Sequence, residues 1–314
     1  MRVIRPDPLI VLILVAVAIA IVLPVRGTAA DVWGVATTIA IAALFFLYGA
    51  RLSPREALNG LTHWRLHLTI LAFTFVVFPL IGLALTPLKT VVDPALYLGI
   101  LYLTLVPSTV QSSVNFTSIA RGNVAGAIVS ASASNLLGVV ATPLLVAALL
   151  HGTSVRIDAS VFGNIALQLL LPFVLGQLSR PWTHRLAASS WTKIIDRGSI
   201  GMVVYGAFSA GMVEHIWSSV GVIDIVGLVV FACALVAFML WLTRAVAVRL
   251  GFSEPDIIAI QFCGTKKSLA TGLPMAAVIF AGSPIALLIL PLMIFHQVQL
   301  IICAWLAARY ASTS

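Results

Sequence analysis

Long apolar runs, broken only by brief clusters of Pro, Gly and charged residues, fill this chain from end to end. A helix that crosses a membrane needs about 17–25 mainly apolar residues. Ten segments fit: roughly 8–24, 31–50, 65–86, 94–120, 123–150, 160–179, 194–215, 220–243, 255–281 and 284–308. The runs are continuous rather than alternating, so the pattern predicts helices and not a barrel, whose strands would alternate apolar and polar positions. The expected loops are short: 51–64, 87–93, 151–159, 180–193, 214–219, 250–254 and 281–283. One of the two longest, 180–193, combines Trp182, His184, Arg185 and Trp191, a mixture suited to a headgroup layer.

Composition agrees with the pattern. Of 314 residues, 61% are hydrophobic and 9% charged, against about 25% charged in soluble domains. The spans leave no stretch for a soluble domain, so a single integral membrane domain over 1–314 is expected, all-α and polytopic. The net charge of +8 reads as topology. With a cytoplasmic N-terminus, thirteen Lys and Arg fall at inner ends and three (Arg26, Lys89, Arg156) at outer ends; Lys266 and Lys267 complete the eighteen. That asymmetry predicts both termini in the cytoplasm and no nucleic-acid partner. Cys233, Cys263 and Cys303 lie within apolar segments and are expected to pack rather than pair or bind metal. Residues 2–24 resemble a signal peptide in outline, but Pro24-Val25-Arg26 follows without a clean cleavage site, so a retained first span is expected.

Polar residues at membrane depth carry the functional signal. Segment nine holds Phe262-Cys263-Gly264-Thr265-Lys266-Lys267-Ser268. One lysine at mid-bilayer costs roughly 2.5–3.5 kcal/mol on insertion scales, and two adjacent ones cannot both reach one interface. Segment four holds Val106-Pro107-Ser108-Thr109-Val110-Gln111-Ser112-Ser113. Both segments contain a helix-disturbing residue beside a polar cluster, Pro107 in one and Gly264 in the other. Ten spans divide as five plus five, and an odd number of spans inverts the second set. Repeats of about 8–150 and 160–309 would then place segments four and nine in matching positions, the arrangement that builds transporter binding sites from broken helices.

The candidate solute and ion site comprises Ser108, Thr109, Gln111, Ser112, Ser113, Asn115, Ser130, Ser134, Asn135, Gln261, Thr265, Lys266, Lys267, Ser268 and His296. Six of the eight residues from Ser108 to Asn115 are polar, more than back-bonding to the helix would employ. Hydroxyl, amide and freed carbonyl oxygens suit a hard cation such as sodium, and equally a polar solute. Isolated residues such as Ser132, Thr117 and Thr271 read as helix packing, and His296 as an interior histidine or a proton relay. The bland account of the lysines is that both pair with carbonyls at the break. None of the ten Asp and Glu lies clearly inside a span, which removes the carboxylate that proton-driven carriers usually hold there.

The two polar runs, with Ala120-Arg121-Gly122-Asn123-Val124-Ala125 after the first, resemble the bile acid:sodium symporter family, the solute carrier family 10 superfamily, in the outlying branch that holds its seventh vertebrate member and bacterial homologues. The resemblance implies ten helices in two inverted five-helix repeats, broken helices four and nine that cross, a core and a panel domain, and alternating access. It implies sodium contacts at Ser112 and Ser113 with Ser130 or Ser134 nearby. It places Lys266 and Lys267 where the bile-acid carriers have an amide pair, and Phe262 near their acidic sodium ligand. A site with two lysines and no carboxylate repels sodium, by several kcal/mol at an effective dielectric near 20.

The expected function is therefore secondary transport of small organic solutes, anions above all, across a bacterial inner membrane. No cofactor is expected beyond a coupling ion, sodium or a proton; the lysines favour a proton or no ion. A monomer or weak homodimer in the lipid bilayer is expected. The alternatives are a sodium-coupled symporter with a rebuilt site and a non-transporting regulator linked to calcium homeostasis. An enzyme is disfavoured, since His151, His184 and His215 are scattered and no nucleophile–base pair stands out.

Overall fold

The structure is a computed structural model that describes residues 8–51, 63–150, 163, 166–189, 191–215, 220–281 and 283–313. Among these every regular element is helical. The expected loop 151–159 and most of 51–64 and 214–219 fall outside the described residues, as do His151 and Arg156.

Twelve α-helices follow in order: α1 Pro8–Val22, α2 Thr28–Arg51, α3 Trp64–Ala84, α4 Pro94–Leu105, α5 Gln111–Ile119, α6 Val124–Leu149, α7 Leu171–Ala187, α8 Thr192–Val213, α9 Val222–Arg249, α10 Glu254–Thr265, α11 Leu269–Ile279 and α12 Ile285–Thr313. Five of them, α2, α3, α6, α9 and α12, are long and apolar enough to cross a membrane. Segments four and nine are each two helices, α4 with α5 and α10 with α11.

The loop expected at 180–193 is mostly helix, because α7 runs on through Pro181 to Ala187. Proline deletes one backbone N–H, the one that would reach Gln177 O, and two hydroxyls bond other carbonyls of the same stretch. Ser179 Oγ donates to Gly176 O at 3.2 Å and Thr183 Oγ1 to Ser179 O at 3.0 Å. Cys263 and Cys303 are buried as expected, whereas Cys233 is exposed and packs into no core. All three are free thiols.

The chain divides into two compact units. The first comprises Met1–Leu52, Ile157–Val220 and Leu273–Leu287. Its centre is the pair α2 and α7, which meet backbone to backbone. A Cβ on Gly49 would stand 2.0 Å from the carbonyl oxygen of Phe173, and one on Gly176 would stand 2.0 Å from that of Phe46. Helix association in lipid lacks a hydrophobic driving force, so close packing of small residues carries it. At one end, Arg51 ties the unit together. It donates to both carboxylate oxygens of Asp196 at 2.8 and 3.1 Å, to Ala187 O at 2.7 Å and to Thr192 Oγ1 at 2.6 Å.

The second unit comprises Ser53–Arg156, Gly221–Gly272 and Leu288–Ser314. Its helices begin on side-chain caps, which supply acceptors for otherwise unbonded N–H groups. Asp93 Oδ1 accepts from Ala95 N at 2.8 Å to start α4, and Asn123 Oδ1 accepts from Gly126 N at 2.8 Å to start α6. Asn123 also donates to Asp256 Oδ1 at 2.7 Å, which joins the start of α6 to that of α10. This unit holds both helix breaks.

Candidate functional site

The first break opens at Val106. A residue before proline is pushed out of the helical region, and Val106 is extended at φ −75°, ψ 155°. A helix end leaves carbonyls without partners, and here five successive ones, from Thr104 to Ser108, are served by four groups. Thr104 O and Val106 O accept from Lys267 Nζ at 2.9 and 2.8 Å. Leu105 O accepts from Thr142 Oγ1 at 2.9 Å, Pro107 O from Ser268 N at 2.7 Å, and Ser108 O from Asn135 Nδ2 at 2.7 Å. The Ser108 N–H turns to Ser134 Oγ at 3.0 Å.

The second break opens at Lys266, extended at φ −88°, ψ 151°. Ser108 Oγ reaches across to Cys263 O at 2.7 Å. Gln299 of α12 clamps the backbone of Lys267, since its Oε1 accepts from Lys267 N at 2.9 Å and its Nε2 donates to Lys267 O at 2.8 Å. Beyond the break, Ser268 Oγ lies 3.0 Å from Thr271 Oγ1, which donates to Asn135 Oδ1 at 2.6 Å. The two breaks are therefore knitted by backbone and side-chain hydrogen bonds in both directions.

The third acceptor of Lys267 Nζ is Thr74 O, at 3.0 Å. A widened turn over Phe73–Val77 in α3 makes it available. The N–H of Phe78 bonds five residues back, to Phe73 O. Continuing that register, Thr74 O would bond the N–H of residue 79, which is Pro79 and has none. Thr74 O is thereby left for a donor from elsewhere. The lysine ammonium has three N–H groups, and three carbonyls take them. Phe78 packs its ring 4.1 Å from the same nitrogen. Two of the carbonyls belong to the C-terminal end of α4, the negative pole of that helix.

Lys266 differs completely. It is 0% exposed like its neighbour, yet Nζ has no hydrogen-bond partner among the described residues. Among the described residues its ring contacts are Phe116, 3.8 Å from the centroid, and Phe262, at 5.6 Å. Ser112 Oγ, Thr109 Oγ1 and Thr117 Oγ1 are likewise buried without partners. Ser112 precedes Phe116 by one helical turn, so the two share a face of α5. The account in which both lysines pair with carbonyls holds for Lys267 alone.

The remaining candidates separate. Ser113 Oγ makes a long 3.5 Å contact to Phe262 O. Gln111 and Asn115 are exposed. Ser130 turns to His67, with Oγ 2.6 Å from Nδ1. Gln261 donates to Leu240 O at 2.9 Å and accepts from Tyr310 Oη at 2.8 Å. Thr265 is paired loosely with Thr243, at 3.4 Å. His296 is buried, with Nδ1 2.9 Å from Gln299 Nε2. Among the described residues, no three His, Cys, Asp or Glu side chains gather in a metal-binding group.

Sequence reasoning passed over Thr74, Pro79, Thr142, Thr271 and Gln299 as site residues. Gln299, an amide within an apolar run, and Pro79, a proline within another, were the available signals. A carbonyl acceptor such as Val106 O has no signature in residue type.

Comparison with known proteins gives this geometry its setting. The model of the SBF-like CPA transporter family matches residues 7–312. An uncharacterized protein of Pseudomonas aeruginosa is 50% identical over 98% of this chain and 93% of its own length. The Escherichia coli protein named "Putative symporter YfeH" is 47% identical over 97% of this chain and 92% of its own. Sodium/bile acid cotransporter 7 of Xenopus tropicalis is 31% identical over 85% and 79%. With its apolar helices and a family match of nearly full length, the chain is a multi-pass membrane protein of transporter type, and it belongs to the SBF-like CPA transporter family.

Proposed function

We propose that this protein is a secondary active transporter of small organic anions, in which Lys267 permanently occupies the place of a coupling cation. The carrying observation is its ammonium, held by carbonyls of Thr74, Thr104 and Val106 at 2.8–3.0 Å and fixed from behind by Gln299. A bound cation joins helix ends by collecting their carbonyls, and here a covalently attached one does so. Transport then proceeds without sodium. Lys266 is the charge left over, available to an anionic solute when the region opens. Desolvating an ammonium with no acceptor is costly, so an anion entering beside it recovers energy that the closed arrangement forgoes.

In this reading ten crossings form two inverted repeats with both termini in the cytoplasm. The resting place is a bacterial inner membrane, and access alternates as the two broken segments move together. Ser108, Ser134, Asn135 and Ser268 hold the breaks, while Ser112 and Thr109 supply hydroxyls to the solute. A second reading is sodium symport at a rebuilt site. It draws on the unpartnered oxygens of Ser112, Thr109 and Thr117, and on the relatives named as sodium/bile acid cotransporters.

Counterflow of labelled organic anions, bile acids included, in proteoliposomes tests both. The first reading expects equal exchange in sodium and in choline, lost in Lys266→Met. Exchange that needs sodium establishes the second. No exchange of any organic anion, by protein that remains folded, removes both.

A further inference from the structure

We infer that the second unit carries a binding groove for an anionic phospholipid, formed by α9, α10 and α12 and independent of the transport reading. A cavity of about 600 Å³ opens there, with Leu240, Trp241, Arg244, Arg249, Gln261 and Trp305 among its walls. Its volume lies in the range of small-molecule sites, about 300–1,000 Å³. Its chemistry is split. Apolar wall comes from Leu240 and Leu306, and two tryptophans, 61% and 60% exposed, flank it. Two guanidinium groups stand at one end.

That division matches a phosphodiester headgroup joined to acyl chains. Arginine binds phosphate with a planar fork of donors, basic pockets between membrane helices recognise anionic headgroups, and tryptophan favours the boundary between headgroup and chain. Arg249 is exposed and forms no ion pair among the described residues. Arg244 is shared: it pairs with Glu254 at 2.8 Å and stacks 5.6 Å from the Tyr310 ring. One full positive charge and one partly neutralised charge therefore face the groove, sufficient for a single phosphate. Gln261 is among the lining residues, 3% exposed, with Nε2 donating to Leu240 O and Oε1 accepting from Tyr310 Oη. With each end of the amide already bonded once, it presents little to a polar ligand and is compatible with acyl chain.

The experiment is native mass spectrometry of the full-length protein released from detergent with equimolar phosphatidylglycerol and phosphatidylcholine. The wild type is expected to retain phosphatidylglycerol preferentially. Arg249→Gln should weaken that preference, and Arg244→Gln with Arg249→Gln should reduce it about tenfold. Glu254→Gln frees Arg244 from its ion pair, and should maintain or increase retention. This separates headgroup binding from loss of a structural ion pair. Equal retention of the two lipids, or a preference unchanged in the double variant, overturns the proposal. So does a dimer that Trp305→Ala dissociates while lipid retention stays the same, for the occupant is then a second copy of the chain.

Discussion

Lys266 and Lys267 are adjacent and equally buried, but only Lys267 has acceptors for its ammonium, three backbone carbonyls within 3.0 Å. Lys266 rests against the Phe116 ring 3.8 Å away, with no hydrogen-bond acceptor among the described residues. An extended backbone at the break points successive side chains to opposite sides. One lysine therefore enters the carbonyl cage and the other enters the aromatic niche.

Replacement of the two lysines should affect stability unequally. Lys267→Met strands three carbonyls and is expected to cost roughly 3–5 kcal/mol, as when one partner of a buried charged contact is removed. Lys266→Met removes a charge without breaking a hydrogen bond, and a buried methionine is easily accommodated. It should leave stability unchanged or raise it while abolishing transport. Thermal unfolding in detergent reads the contrast; equal destabilisation by both would refute the assignment.

Gln299→Leu should cost about 2–4 kcal/mol, because the N–H and C=O of Lys267 both lose their partner inside the protein. Gln299→Glu keeps the acceptor and loses the donor, so it should fall between wild type and leucine. Unfolding midpoints of the three proteins in one detergent check the order.

Pro79→Ala should impair transport while preserving the fold. Alanine restores an N–H at position 79 that can claim Thr74 O, and Lys267 then competes for its third acceptor. The helix itself gains from losing a proline, so the unfolding midpoint should stay or rise as anion counterflow falls. Full counterflow in Pro79→Ala would show that the third carbonyl is dispensable.

Gly49→Ala and Gly176→Ala should each cost about 3 kcal/mol or more, since the added Cβ meets a carbonyl oxygen at 2.0 Å and neither backbone can yield. Gly34→Ala in the same helix α2 is the control. Nothing lies within 4 Å of its Cβ position, so it should be neutral or stabilising by about 0.5–1 kcal/mol. Unfolding midpoints of the three variants provide the comparison.

Much of this molecule is written locally. Runs of apolar residues specify membrane helices because backbone polar groups in hydrocarbon must bond within their own segment. Pro107 ends α4 for a steric reason confined to two residues. Gly264, by contrast, lies inside α10, and the break falls two residues later, at Lys266. Polar residues at depth drew attention to the two helix breaks, since each is costly there. They did not show that Ser130 turns to His67, that Gln261 turns to Tyr310, or that α7 continues through Pro181.

What the sequence by itself determined was the helical membrane class, the two interrupted segments and the presence of lysines at depth in the second of them, because each follows from the length and cost of local runs. What only the tertiary structure decided was the partner of each polar group. Lys267 needs acceptors from α3 and from the end of α4, more than 160 positions away in the chain. Those acceptors are backbone carbonyls, which every residue carries alike. Residue type therefore reveals that a charge is buried, whereas packing alone selects the oxygens that receive it.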